Sequence, residues 1–352
     1  MSQRLRLLVT AKLIPSLLER YLEPLDALEL VERIVVVRHE PAAERLAKVE
    51  NVTFGDGGTA RNLVRMGLAA ERVIERERID WILGFNPIPW GTVGWTLAKR
   101  HRIPVSLSFI GLDFKHLQHP LGTPFWLPTR TAELVTVTGE RMRRRLLQGG
   151  VRPERIHTLP HAVDTARFSP SRESTPDLDV IAVGQLIPRK RMDVLIDAVA
   201  LLRDRGVSLR AGILGKGPLA DELAARIRER GVGDRVELLG YRTDVENALR
   251  RARVFALVSD WEGVPFAMIE AMSAGLVPVV TDVGTIGEWV TDGVNGRIVP
   301  VGDAAALADA LRRLKEDGEH RAALQRTSLE VRDRASLDAG VAVWRRLLTR
   351  SA

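Results

Sequence analysis

The sequence predicts an α/β protein built from two doubly wound parallel sheets. Three observations lead there. Short apolar runs alternate with helical stretches along the whole chain. Short apolar strands separated by helices indicate a parallel sheet covered on both faces. A polar, proline-bearing stretch, residues 169–176, divides the rhythm into two series. With 352 residues, two domains are the ordinary expectation at roughly 100–200 residues each. The divisions read from the sequence are 1–168, 169–335, and a last helix, 336–352, that returns to the first domain.

The first series opens with Leu5-Arg6-Leu7-Leu8-Val9-Thr10 and continues with Arg33-Ile34-Val35-Val36-Val37. Strands at 81–85, 105–109, 134–137 and 156–159 follow, each short and rich in Val, Ile, Leu or Phe. Residues 91–100 and 140–148 read as helices between them. The second series places strands at 179–183, 209–214, 236–239, 254–258 and 277–280, the last of that series. Helices at 193–205 and 219–229 separate them. Ligands of such sheets bind at the carboxyl ends of the strands, so two sheets joined by one linker imply a cleft lined by both. In the last helix, Val341, Val343, Trp344, Leu347 and Leu348 form the apolar set.

Composition excludes several classes. Hydrophobic residues make up 45% and charged residues 28%, which excludes global disorder. The absence of cysteine removes disulfide scaffolds, thiolate zinc, iron–sulfur clusters and a Cys nucleophile. No apolar run approaches the roughly 20 residues of a membrane span. The first residues lack a signal-peptide pattern. The expectation is a cytoplasmic protein, free or peripheral at the inner face of the membrane. The formal charge is +7, and all of it lies before Phe168, with 25 basic and 18 acidic residues. Beyond it each sign counts 27. A general bias toward Arg does not supply the missing acids of the first half, so an anionic partner is expected there.

The richest stretch runs from Asp260 to Gly275. A strand ends near Ser259, a loop carries Glu262 and Gly263, and Pro265 suits the first turn of a helix that Gly275 ends. A helix opening at Val264, Pro265 and Phe266 offers backbone N–H groups to phosphate or sugar oxygens. Glu262 stands at its mouth, and Glu270 about two turns along. Spacing alone means little, because Glu32/Glu40 and Glu229/Glu237 are also eight apart. The plain alternatives are a loop acid for Glu262 and a surface helix acid for Glu270. A second motif, Gly184-Gln185-Leu186-Ile187-Pro188-Arg189-Lys190-Arg191, follows the first strand of the second half. Its cations can neutralise a diphosphate; a solvated basic loop is the alternative. A third, Gly215-Lys216-Gly217-Pro218, ends a strand, and Thr281-Asp282-Val283-Gly284 ends another, with Glu288 on the helix after it.

In this order the motifs resemble the donor domain of retaining family 4 glycosyltransferases with the GT-B fold. Val236-Glu237-Leu238-Leu239-Gly240 and Asp292-Gly293-Val294-Asn295-Gly296 extend the likeness, which is weaker over the N-terminal half. The resemblance implies two Rossmann-like domains and transfer of a sugar from a nucleotide-diphosphate sugar, such as a UDP- or GDP-sugar, to an acceptor hydroxyl. It implies that Glu262 binds donor-sugar hydroxyls, that Glu270 holds the ribose, and that Lys190 stabilises the diphosphate leaving group. Gly184, Gln185, Arg189, Gly215, Tyr241, Gly263, Val264, Pro265 and Phe266 complete the implied donor site. Neither cofactor nor metal is expected.

Departures are visible. Gln185 stands where the family has Arg, leaving Arg189 or Arg191 to supply a cation. Ile110 stands where the family has His, although the acidic Asp113 is kept. Thr10-Ala11-Lys12-Leu13-Ile14-Pro15 replaces the glycine loop after the first strand. On the acceptor side the candidates are Asn86, Asp113, as base or orienting group, and His116. The acceptor is expected to be a saccharide or glycoside, anionic or carried at an anionic membrane surface. Arg141, Arg144 and Arg145 on one helix face suit such a surface, or are simply solvated. Nucleic acid is not expected, with only 5% aromatic residues. The alternative function is a non-catalytic nucleotide-sugar binder, or another GT-B enzyme such as an epimerase.

Overall fold

The computed structural model describes residues 4–110, 126–159, 161–171, 175–263 and 265–349. The chain forms two compact units, one of residues 1–162 with 336–352 and one of residues 163–335. The sequence boundary at Phe168 is therefore six residues late. Residues 163–168 are tied into the second unit. Val163 N donates to Ala335 O, and the Phe168 carbonyl accepts from Ser273 Oγ and Arg332 Nη1. The start of the stretch read as a linker is not free either, since Pro170 packs against Gly275.

The first unit holds seven strands: β1 (Leu5–Thr10), β2 (Val31–Arg38), β3 (Val49–Thr53), β4 (Trp81–Phe85), β5 (Val105–Phe109), β6 (Leu134–Val137) and β7 (Ile156–Thr158). They are all parallel, in the order β3-β2-β1-β4-β5-β6-β7. β4 and β5 are buried at every residue, so β4 reads as a continuous apolar run and β5 carries no polar side chain larger than Ser106 and Ser108. β3 was not expected. It is an edge strand of sequence Val49-Glu50-Asn51-Val52-Thr53, no residue of which is buried, so no apolar run marks it.

The second unit holds β8 (Val180–Val183), β9 (Ala211–Leu214), β10 (Val236–Gly240), β11 (Val254–Leu257), β12 (Val277–Thr281) and β13 (Arg297–Val299). Their order is β10-β9-β8-β11-β12-β13, again parallel. β13 corrects the expectation that the strand at 277–280 is the last. Both sheets have the doubly wound form, with the order reversing beside the first strand: between β1 and β4, and between β8 and β11. That reversal splays the loops on either side and leaves a crevice at the carboxyl edge of each sheet.

The helix Leu337–Thr349 belongs to the first unit and packs on the helix Pro15–Asp26. It buries Gly340, Trp344, Leu347 and Leu348, a stripe of helical period. Val341 and Val343, expected in that stripe, lie at its half-exposed margin. Gly340 sits at a close approach, since a Cβ there would lie 3.0 Å from both Ala162 Cβ and Pro24 Cγ and would press them back by a few tenths of an ångström.

Candidate functional site

Because the second sheet is parallel, the loops after β8, β9, β10, β11 and β12 all emerge at one edge. The glycine motifs lie in those loops. A short 3₁₀ turn, Pro188–Lys190, follows β8 and brings Lys190 toward the loop after β11. The two loops are joined by backbone, with Asp260 N donating to Arg189 O at 2.9 Å. Across the reversal between β8 and β11, Lys190 Nζ donates to Glu262 Oε1 at 2.6 Å. Ser259 Oγ donates to the same oxygen at 2.5 Å. Glu262 is 4% exposed and the Lys190 side chain 13%. This is a desolvated, charge-assisted pair, stronger than a surface bridge and costly to break from one side.

The other carboxylate oxygen, Oε2, lies 3.9 Å from Arg189 Nη1, beyond hydrogen-bond reach, and accepts no hydrogen bond among the described residues. Arg189 stacks over Trp261, 5.5 Å from the ring centroid. Arg191 turns away, bound by Asp193 and Asp260. The Asp193 hydrogen bond, opposed by some burial and helped by Asp260, holds its guanidinium more firmly protonated than usual. Of the two cations expected to replace the one lost at the exposed Gln185, only Arg189 faces Glu262.

Close backbone approach fixes the loops. A Cβ on Gly215 would lie 1.8 Å from the Gly184 carbonyl oxygen. Gly284 has φ +63°, and a Cβ there would lie 1.9 Å from the carbonyl oxygen of Glu262. Thr281 Oγ1 donates to Ser259 O and Thr285 Oγ1 to Gly263 O, so the loop after β12 braces the Glu262 loop from behind. Tyr241, past the end of β10, is 63% exposed and carries Lys216 over its ring at 4.2 Å.

The helix after Glu262 runs from Phe266 to Ser273, with Pro265 as its cap residue rather than in its first turn. Pro265 and Phe266 are buried, and no side chain caps the helix. Glu270 is therefore little more than one turn in, not two, and it is 2% exposed rather than a surface acid. Glu288 lies in a 3₁₀ turn, Ile286–Glu288, rather than on a longer helix. Val264, Asp113 and His116 lie outside the described residues. In the first unit, Asn86 follows β4 in a left-handed conformation, φ 54°, with its Oδ1 buried and unpartnered. On the helix Glu140–Gln148, Arg143 and Arg144 are drawn to Glu140 and Arg145 stacks on Trp126, while Arg141 stays exposed. Sequence reading missed Ser259 as a ligand of Glu262, Trp261 as the platform for Arg189, and Arg38.

Comparison with known proteins gives this geometry a family. The description "Glycosyltransferase Family 4" matches residues 28–167, and "Glycosyl transferases group 1" matches residues 164–330. The colanic acid biosynthesis glycosyltransferase named WcaL of Salmonella typhimurium is 35% identical over 292 residues, covering 77% of this chain and 70% of WcaL. This chain belongs to the family 4-type glycosyltransferases. WcaL of Escherichia coli is 31% identical, with 72% of this chain and 66% of that protein covered. The amylovoran biosynthesis glycosyltransferase AmsK of Erwinia amylovora is 29% identical, with about half of each protein covered. Among solved structures, HepE of Anabaena in complex with UDP and glucose shares the fold at a TM-score of 0.81 and 20% identity, over 99% of this chain and all of that one. Sucrose-phosphate synthase of Thermosynechococcus elongatus does so at 0.81 and 17%, over 99% of both chains. Both are GT-B neighbours of this glycosyltransferase fold.

Proposed function

We propose that the chain transfers a sugar, with retention, from a nucleotide-diphosphate sugar to an acceptor hydroxyl, without a metal ion. The observation that carries this reading is the Lys190–Glu262 pair, buried where the second sheet reverses its order. Glu262 presents Oε2 to donor-sugar hydroxyls, while Oε1 is held by Lys190 and Ser259. As the bond from sugar C1 to the diphosphate oxygen breaks, the electron pair leaves with the phosphate. Lys190, with Arg189 beside it, stabilises that growing charge, the role a divalent cation fills elsewhere. The acceptor oxygen bonds to C1 and gives up its proton, for which Asp113 is the candidate base. Glu270 takes the ribose hydroxyls, and the helix start after Gly263 faces the phosphates.

A thermal-shift panel of UDP- and GDP-sugars tests the donor. A sugar nucleotide at 100 times its Kd stabilises the folded chain by about 2.7 kcal/mol, a rise in Tm of roughly 5–10 °C. No shift with any member would overturn the reading.

For the acceptor, charge is the guide. The first unit carries 27 basic and 18 acidic residues, net +9, and the second 25 and 27, net −2. The helix Thr59–Arg76 exposes Val64 and Leu68 beside Arg61 and Arg72. We propose that this face rests on anionic lipid, apolar side chains inserted and guanidinium groups on headgroups. No helix among the described residues is long and apolar enough to cross a membrane. The chain is expected to pellet with phosphatidylglycerol vesicles at low salt and to be released by Leu68→Glu; equal pelleting with phosphatidylcholine would contradict an electrostatic attachment.

A further inference from the structure

The first unit has its own crevice at the reversal between β1 and β4, and the ends of β1, β2 and β4 meet there. Arg38 closes β2. It is fully buried, alone among the described Lys and Arg residues in being so. Its Nη2 donates to Leu13 O at 3.0 Å and to Glu40 Oε1 at 2.8 Å. Nε and Nη1 have no partner. Burial makes its charged form less favourable than usual, and Glu40 only partly offsets this. A buried cation with uncommitted donors is costly to keep, at about 1–3 kcal/mol for each unmet group.

Its one counter-charge is loosely placed. The Glu40 side chain is 49% exposed, so the carboxylate reaches Arg38 from the solvent side. Two further unmet polar atoms lie at the neighbouring strand ends. Thr10 Oγ1 ends β1, in register with Val37 and turned toward Gly94 on the face opposite Arg38, and Asn86 Oδ1 stands just past β4. Lys12, two residues past Thr10, lies over the Trp90 ring at 4.9 Å and makes no ion pair among the described residues. The end of β2 thus holds a buried cation with two uncommitted nitrogens against one half-exposed acid.

We propose that this edge binds an oxyanion, carboxylate or phosphate, carried by the acceptor, with Arg38 as its receptor and Glu40 as the group it displaces. When Glu40 turns outward, Nη1 and Nη2 present two parallel N–H groups, the geometry that accepts a carboxylate or phosphate edge on. The inference rests on the transferase reading only in assigning the anion to the acceptor.

The test is isothermal titration of the full chain with methyl glucuronide, glycerol phosphate and the neutral methyl glucoside. One anion is expected to bind and the glucoside not, and which anion binds identifies the source. Glu40→Gln removes the competing carboxylate from a half-exposed position and should tighten that binding by about fivefold. Arg38→Gln should weaken it by about thirtyfold or more, its melting curve showing whether it stays folded. Arg38→Gln can fail to fold without affecting the outcome, because Glu40→Gln decides independently. Anion affinity unchanged in Glu40→Gln, or no anion binding in either protein, overturns the proposal. The same UDP- and GDP-sugars are titrated alongside. If none of them binds while the anion does, the transferase reading falls and the Arg38 site stands.

Discussion

Replacing Lys190 by Met is expected to lower donor turnover by about 10²–10³-fold. The cause is loss of the cation that faces the leaving group, with Arg189 too far from Glu262 to take its place in the pair. The same change strands a buried carboxylate. Ser259 still donates to Glu262, so the cost falls near the lower end of the usual 3–5 kcal/mol for a broken buried pair, about 3 kcal/mol. Tm should drop by roughly 6–12 °C. The double variant Lys190→Met with Glu262→Gln separates the two effects. Neither charge is then stranded, so most of the stability returns while turnover stays low. Melting curves and donor hydrolysis rates on the three proteins check this. A double variant as active as the unaltered chain would remove Lys190 from the mechanism.

Gly284→Ala should be nearly as damaging, although residue 284 contributes no side chain. A Cβ would sit 1.9 Å from the Glu262 carbonyl oxygen and 2.8 Å from its carbon, and neither is the end of a flexible side chain. The left-handed backbone, φ +63°, adds about 1 kcal/mol for any residue with a Cβ. Together the expected cost is about 2–4 kcal/mol, with the Glu262 loop displaced and turnover reduced accordingly. Gly293→Ala is the control. Its φ is +73°, but a Cβ there meets nothing within 4 Å. It should lose about 1 kcal/mol and keep its turnover. Equal turnover in both variants would mean that the brace from the loop after β12 does not position Glu262.

What could be read in advance follows from burial. Central strands such as β4 and β5 declare themselves because both faces are covered and no charged residue interrupts them, the only polar side chains being the small Ser106 and Ser108 of β5. The edge strands β3 and β13 do not, since one side of each faces away from the sheet and polar residues such as Glu50 and Arg297 are tolerated there. The glycine loops were legible as local motifs. The pairing of Lys190 with Glu262 was not, because the residues are 72 apart and only the strand order β8-β11 brings them together. Arg38 was hidden for a related reason. A single cation ending an apolar strand looks like a residue reaching solvent, until the sheet shows that β2 is covered there. The charge asymmetry was visible from composition, and the unit boundary at Ala162 sharpened it from +7 against neutral to +9 against −2.

The central claim is that the Lys190–Glu262 edge of the second unit binds the sugar end of a nucleotide-diphosphate sugar. It is tested most directly by titrating the sugar nucleotide that gives the largest thermal shift, and its free nucleoside diphosphate, into the full chain and into Glu262→Gln. The account predicts that the substitution weakens the sugar nucleotide by about tenfold or more, through loss of the carboxylate's hydrogen bonds to the sugar hydroxyls, and leaves the nucleoside diphosphate nearly unchanged. Equal affinity of both proteins for the sugar nucleotide would contradict it.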